Sequence, residues 1–342
     1  MSTVTKPIRL LLDSGSRRFV ADIGNLPDAA RFEILSYVGK GEDGLRDLIP
    51  QAEAVYISQH ALSADLIQSA PGLRFIQKYG LNCKNIDVEV ATLRRIPVAT
   101  VPLFRHATVA EHALALMLAC SRKIIPSHHA VEHAAYRELG IDPMPTSQRE
   151  HRPNWAQIAG ISELKNASVA IMGLGDIGME IANRCRAFGM KIFYNQRQRH
   201  RPEVEARHGA NFLPFRELLE CADYLVLVLP HTKETEGLIG AEQFAWMKPT
   251  ATLINVARGA VVDEEALADA LASGRLAMAG LDVYREEPLP DSSPLTKMSN
   301  VVLTPHTGGG SYQFREADRA AGLANILDYF DGRQHSGVIN LG

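Results

Sequence analysis

An arginine, an acid and a histidine hold comparable places in the second half of the chain. Arg258 directly follows an expected strand at 252–257, Glu287 lies four residues past a strand at 278–283, and His306 two past a strand at 301–304. In an open parallel sheet, ligands bind beyond the carboxyl ends of the strands, so the three side chains are expected to reach one site. Together they suit hydride transfer to a ketone beside a carboxylate. A guanidinium can hold the carboxylate and polarise the carbonyl, an imidazolium can donate the proton, and a neighbouring acid would stabilise that imidazolium. Taken singly, each has a plainer reading: Arg258 as a strand-end cap, Glu287 as a turn residue before Pro288, His306 as a satisfied loop histidine.

A hydride carrier has a candidate seat upstream. Gly173-Leu174-Gly175-Asp176-Ile177-Gly178 lies between an expected strand at 168–172 and a helix at 177–188. The first glycine permits a tight turn, the second lets backbone approach a pyrophosphate, and the third allows close helix packing, with the helix N-terminus facing the anion. The next strand, 191–195, runs into Gln196-Arg197-Gln198-Arg199-His200-Arg201. Dinucleotide folds usually place a ribose-binding acid there. Here three arginines follow instead, and guanidinium forks would hold a 2′-phosphate. The segment therefore points to NADP(H), with NAD(H) possible; a solvated basic turn is the competing reading.

These residues need a scaffold. The chain has 342 residues, 46% of them hydrophobic and 22% charged, a soluble globular composition sufficient for about two domains. Lys+Arg 36 against Asp+Glu 39 leaves a net charge of −3, which recommends neither nucleic acid nor an anionic membrane as partner. Cys83, Cys120, Cys185 and Cys221 are widely spaced and form no C-x-x-C pair, so no metal site or disulfide framework is expected. The start lacks a basic segment followed by a long apolar one. The longest apolar run, 113–120, is eight residues, far below the ~20 of a membrane span. A cytoplasmic location is expected.

From 166 onward, strands at 168–172, 191–195, 224–229, 252–257, 278–283 and 301–304 alternate with helices at 177–188, 215–221 and 264–272, the pattern of a doubly wound parallel sheet. Strands at 9–12, 54–58, 73–78 and 98–100, with helices at 28–35, 64–70 and 88–95, predict a smaller α/β unit before it. The helix at 109–122 is too apolar for a surface and is expected between domains or at a subunit interface. A last helix, 311–330, would return to the first unit. The domains then divide as 1–108 plus 307–342, and 109–306. Segment 136–160, with prolines at 143, 145 and 153, reads as an exposed loop, either a surface excursion or a lid.

Four ordered segments, GLGDIG, NVARGAVVDEEAL (255–267), AGLDVYREEPLP (279–290) and LTPHTGGG (303–310), closely resemble the D-isomer-specific 2-hydroxyacid dehydrogenases. KYGLNCKNID (78–87) and VAEHALALML (109–118) are similar to that family's substrate-loop and interdomain-helix segments. The resemblance implies two similar α/β domains around a cleft, a Rossmann-type cofactor domain and a flavodoxin-like substrate domain, usually dimeric through the helix at 109–122. It implies that Arg258 binds substrate, that His306 is the acid/base with Glu287 rather than Glu286 as partner, and that Gly80 and Leu81 offer N–H groups to the substrate carboxylate. Cofactor contacts would come from Gly173, Gly175, Asp176, Ile177 and Gly178, from Gln196, Arg197 and Arg199, and from Leu229, Pro230, Val256, Ala257, Arg258, Asp282 and His306.

Gln196-Arg197 resembles the NADPH-using glyoxylate and hydroxypyruvate reductases of this family, so a small 2-oxo acid is the expected substrate. Pro102-Leu103-Phe104-Arg105-His106 departs from the usual residues of that stretch. Arg105 is open to a role toward a second substrate anion or to a salt bridge, and His106 reads as structural. An NAD-linked dehydrogenase of another 2-hydroxy acid, such as 3-phosphoglycerate, is the alternative enzyme, although the chain ends ten residues after Gly332 and leaves no room for an appended regulatory domain. A dinucleotide-sensing scaffold is the alternative outside catalysis.

Overall fold

The structure, a computed structural model, describes residues 6–12, 17–36, 41–58, 60–81, 83–310 and 312–341, with side chains except at 17–19, 22, 41, 42 and 312–315. Residues 1–5, Asn82 and Ser311, which belong to segments read above, lie outside that set. In chain order the elements are β1 (Ile8–Leu12), α1 (Arg17–Gly24), β2 (Phe32–Ser36), α2 (Gly41–Leu48), β3 (Ala54–Ile57), α3 (Ala64–Gln68), β4 (Phe75–Tyr79), α4 (Val88–Leu93), β5 (Val98–Val101), α5 (Phe104–Ser121), α6 (Ile124–Glu132) and β6 (Ser168–Met172). There follow α7 (Asp176–Ala187), β7 (Lys191–Asn195), α8 (Pro202–His208), β8 (Ala210–Phe212), α9 (Phe215–Cys221), β9 (Tyr224–Leu227), α10 (Ala241–Trp246), β10 (Thr252–Asn255), α11 (Glu264–Ala272), β11 (Met278–Leu281), β12 (Val301–Leu303) and α12 (Tyr312–Phe330). The chain divides into two compact units, 1–105 with 311–342, and 106–310. These boundaries lie three and four residues from those read off the sequence.

The first unit carries five parallel strands in the order β2-β1-β3-β4-β5, the flavodoxin-type arrangement. Its strands are apolar on both faces. Leu10, Leu12, Tyr56 and Phe75 pack with Leu323, Ile326 and Leu327 of α12, while Leu11, Val55, Ile57 and Ile76 pack with Ile49, Leu66 and Ile67. The helix expected at 28–35 is not formed. Residues 29–31 make a single 3₁₀ turn, and Phe32–Ser36 is the edge strand β2, paired with β1 from Ile8↔Phe32 to Leu12↔Ser36. Phe32 and Ile34 join one core and Leu35 the other, a period of two that the adjacent β1 edge captures.

The second unit carries seven parallel strands in the order β12-β11-β10-β9-β6-β7-β8, so two parallel-sheet α/β domains are present as expected. The order reverses at β6, whose neighbours are β7 and β9, and this opens a crevice beyond the strand ends. Ala110, Ala113, Leu114, Leu116, Met117 and Cys120 of α5 enter the core on one face of this sheet. The helix's apolar character is therefore used within its own unit. Segment 133–167 has neither helix nor strand and is exposed from Arg137 to Asn154 apart from Ile141. Among the described residues no helix is long and apolar enough to cross a membrane.

Candidate active site

The glycine turn joins β6 to α7 within the second unit. Gly173 has φ +97°, a conformation that disfavours side chains. A Cβ on Gly178 would lie 2.2 Å from the Gly173 carbonyl oxygen, so only glycine lets the helix start this close to the turn. A Cβ on Gly175, in contrast, would meet nothing within 4 Å, and α7 begins with no side-chain cap on its first-turn N–H groups. Open space before an uncapped helix N-terminus fits a pyrophosphate. Asp176 opens α7 and Ile177 follows it, both partly exposed; the Asp176 carboxylate lies 3.7 Å from Nδ1 of His106.

The end of β7 is tied to the same turn. Gly173 N–H donates to the Asn195 carbonyl at 2.9 Å, Leu174 N–H donates to Oε1 of Gln196 at 3.2 Å, and Nε2 of His200 lies 2.7 Å from the Leu174 carbonyl. Gln196 thus helps shape the turn, and His200, not singled out from the sequence, braces it. The arginines separate. Arg199 is engaged with Glu205 at 2.8 and 2.9 Å, and this fork together with the Tyr194 hydroxyl holds the Glu205 carboxyl at about 2. Arg197 is exposed at the strand end.

Beyond β9, Leu229 is partly exposed and Pro230 exposed. Beyond β10, Val256 and Ala257 are buried, and the buried Asn255 braces the turn: its Oδ1 accepts from Ala257 N–H at 3.1 Å and its Nδ2 donates to the Arg258 carbonyl at 3.2 Å. Arg258 is exposed, with Nη1 donating to the Ala257 carbonyl at 2.6 Å. A Cβ on Gly259 would fall 1.8 Å from the carbonyl carbon of Tyr284, so the loop bearing Arg258 runs directly against the backbone leading to Glu287. Oε1 of Glu287 accepts from Tyr284 N–H at 3.2 Å, and Oε2 lies 2.6 Å from Nδ1 of His306. The carboxylate beside the histidine is that of Glu287. Against a carboxylate acceptor Nδ1 carries the proton, which leaves Nε2 as the ring nitrogen that does not face Glu287.

His306 itself sits at φ +54°, and its N–H donates to the Asp282 carbonyl at 2.9 Å. Asp282 lies under this loop, buried, and accepts from Nε2 of His112 at 3.1 Å, from the Thr304 hydroxyl at 2.6 Å, and from the N–H groups of Thr307 and Gly308 at 2.8 and 2.9 Å. Burial alone would raise its pKa. The four donors outweigh that and hold the carboxyl at about 2. His112 escapes a reading from pattern because it stands on a helix 170 residues before its partner; the segment VAEHALALML marks the helix, not the contact.

Gly80 and Leu81 lie in the first unit, after β4. Gly80 is buried with φ +100°, and Leu81 is exposed. In the same unit the Arg105 guanidinium lies 4.8 Å from the centre of the Tyr79 ring.

A seven-stranded parallel sheet with a glycine-rich turn at its switch point, and with an arginine and a histidine–glutamate pair at neighbouring strand ends, defines a nicotinamide-dinucleotide oxidoreductase. The particular lineage is given by comparison. Residues 114–308 match the D-isomer specific 2-hydroxyacid dehydrogenase, NAD binding domain. The chain is 36% identical over 280 residues to a glyoxylate reductase of Thermococcus onnurineus, covering 82% of this chain and 80% of the relative. It is 35% identical over 295 residues to a glyoxylate/hydroxypyruvate reductase B of Shigella boydii, covering 86% of each. An NADPH-dependent glyoxylate/hydroxypyruvate reductase from Sinorhizobium meliloti, solved with citrate, superposes with a TM-score of 0.65 at 25% identity, covering 98% of this chain and 97% of that one. The chain belongs to the D-isomer-specific 2-hydroxyacid dehydrogenase family.

Proposed function

We propose that the chain reduces small 2-oxo acids, glyoxylate or hydroxypyruvate, using NADPH in preference to NADH. The observation that carries this reading is the 2.6 Å His306–Glu287 pair in the same unit as Arg258 and a β7 end that offers Gln196 and Arg197 with no acid. Arg258 holds the substrate carboxylate and polarises the adjacent carbonyl, while Gly80 and Leu81 add backbone N–H groups. When bound, the nicotinamide supplies the hydride. His306 gives the Nε2 proton to the carbonyl oxygen as its charge builds, and Glu287 keeps the ring oriented and stabilises its protonated form. Residues 106–310 act as the cofactor domain and the remainder as the substrate domain.

A 2-oxo-acid panel run with each nicotinamide tests this. Glyoxylate or hydroxypyruvate is expected to consume NADPH faster than NADH, and Arg197→Ala to weaken NADPH binding by about 1–3 kcal/mol, the range for a charge-assisted hydrogen bond, while sparing NADH. Unchanged NADPH affinity in that variant removes Arg197 from the phosphate site. If NADPH binds but no 2-oxo acid consumes it, the chain is a sensing scaffold; preference for NADH with another 2-oxo acid returns the alternative dehydrogenase.

We further propose that the enzyme is a cytoplasmic homodimer. The resemblance puts the contact at the helix 109–122, whose residues Ala110, Ala113, Leu114, Leu116, Met117 and Cys120 pack inside their own unit, so any contact would use the remaining face of α5. A light-scattering mass of one chain would exclude the dimer.

A further inference from the structure

Away from the strand ends, three histidines and a glutamate crowd the end of α6. Oε2 of Glu132 lies 3.1 Å from Nδ1 of His129, 3.6 Å from Nε2 of His133 and 3.7 Å from Nε2 of His128. The donor atoms of His129, Glu132 and His133 all fall within 4.8 Å of one another, the one such set among the described residues. In a tetrahedral site with bonds of ~2.0–2.1 Å, neighbouring donors stand roughly 3.3 Å apart. The separations of Glu132 Oε2 from His129 and His133 bracket that value. His129 and His133 are one helical turn apart on the same face, with ring centres 5.6 Å apart, so a rotation of the side chains would bring both to one ion.

The cluster does nothing visible for the fold. All four side chains are exposed, and α6 buries no residue against a neighbour. Of the three rings only that of His129 is within hydrogen-bond distance of Glu132 Oε2, so hydrogen bonds to that oxygen do not account for the other two. A single divalent cation would take these ligand atoms together.

We propose that His129, Glu132 and His133 form a surface site for a divalent transition cation of the imidazole-preferring class, with His128 or water completing the coordination. Imidazole nitrogens suit Zn²⁺, Ni²⁺ and Cu²⁺, whereas Mg²⁺ and Ca²⁺ demand oxygen ligands. The site is independent of the strand-end residues of the active site. Its occupancy would fix the last turn of α6, where the chain enters the exposed stretch 137–154.

Equilibrium dialysis of the tag-free full-length chain against Zn²⁺ at neutral pH tests the site. One Zn²⁺ per chain is expected, with no retention of Mg²⁺ at the same concentration and release of Zn²⁺ to excess chelator. His129→Ala/His133→Ala and, separately, Glu132→Gln are each expected to weaken binding by about tenfold or more with an unchanged far-ultraviolet circular dichroism spectrum. Co²⁺ bound in place of Zn²⁺ should show the visible absorption of a tetrahedral nitrogen/oxygen site. The proposal is overturned if the wild type retains no Zn²⁺, if the double variant retains as much as the wild type, or if Zn²⁺ is lost instead in His306→Ala.

Discussion

Replacing His306 with alanine is expected to lower kcat by about two to four orders of magnitude, the usual contribution of a general acid, with little change in NADPH affinity. The separation of the two effects is the informative part. The imidazole's Nδ1 faces Glu287 at 2.6 Å, so on the proposed mechanism Nε2 is the nitrogen that would meet the reacting oxygen, whereas the dinucleotide would be held by the glycine turn and the β7 end. A control is available in the backbone. His306 sits at φ +54°, a region that Asn tolerates better than most residues, so His306→Asn keeps the loop in place while removing the acid. It should lose turnover to the same degree as the alanine variant. Parallel loss of turnover and NADPH affinity in both variants would make His306 a structural residue.

What could be read in the sequence divides along a physical line. Strands whose side chains are buried on both faces announce themselves as continuous apolar runs: Leu225 to Leu227 of β9 and Val169 to Met172 of β6 are legible without any partner. The edge strand β2 was not, because Phe32-Glu33-Ile34-Leu35-Ser36 is short and mixed, and only pairing with β1 decides its state. The polar helix α8 was missed although its punctuation is present, with Pro202 at the first position and Gly209 in the left-handed conformation after the end. The site shows the same division. Arg258, Glu287 and His306 follow strands and can be placed by counting. Arg199 could not be distinguished from Arg197 by counting, since its bidentate pairing with Glu205 depends on α8 folding back beneath the strand end. The overall charge of −3 was blind to both arginines.

Asp282→Asn is expected to cost about 3 kcal/mol or more of stability at neutral pH, because it breaks a buried, fully satisfied carboxylate and leaves donors facing an amide that cannot accept from all of them. In a unit of this size that corresponds to a fall of roughly 6–12 °C in melting temperature. The pH dependence carries a definite sign. The folded carboxyl is depressed from 3.8 to about 2, so its stabilisation is fully present above the ordinary carboxylate range and is lost as pH falls toward about 2. Urea midpoints of wild type and variant should therefore differ by a constant amount from neutral pH down to about 4 and converge below it. A difference that persists undiminished into acid would mean that the charge is not what Asp282 contributes. Turnover should fall as well, because Thr307 and Gly308, whose N–H groups the carboxylate holds, adjoin His306 on one loop, and the Asp282 carbonyl takes the His306 N–H directly. Fold and proposed chemistry meet in this residue: two of the four hydrogen bonds that depress its pKa come from Thr307 and Gly308, which follow His306 on its loop, so a variant that restores turnover without restoring the acid-dependent stability would separate roles that the geometry joins.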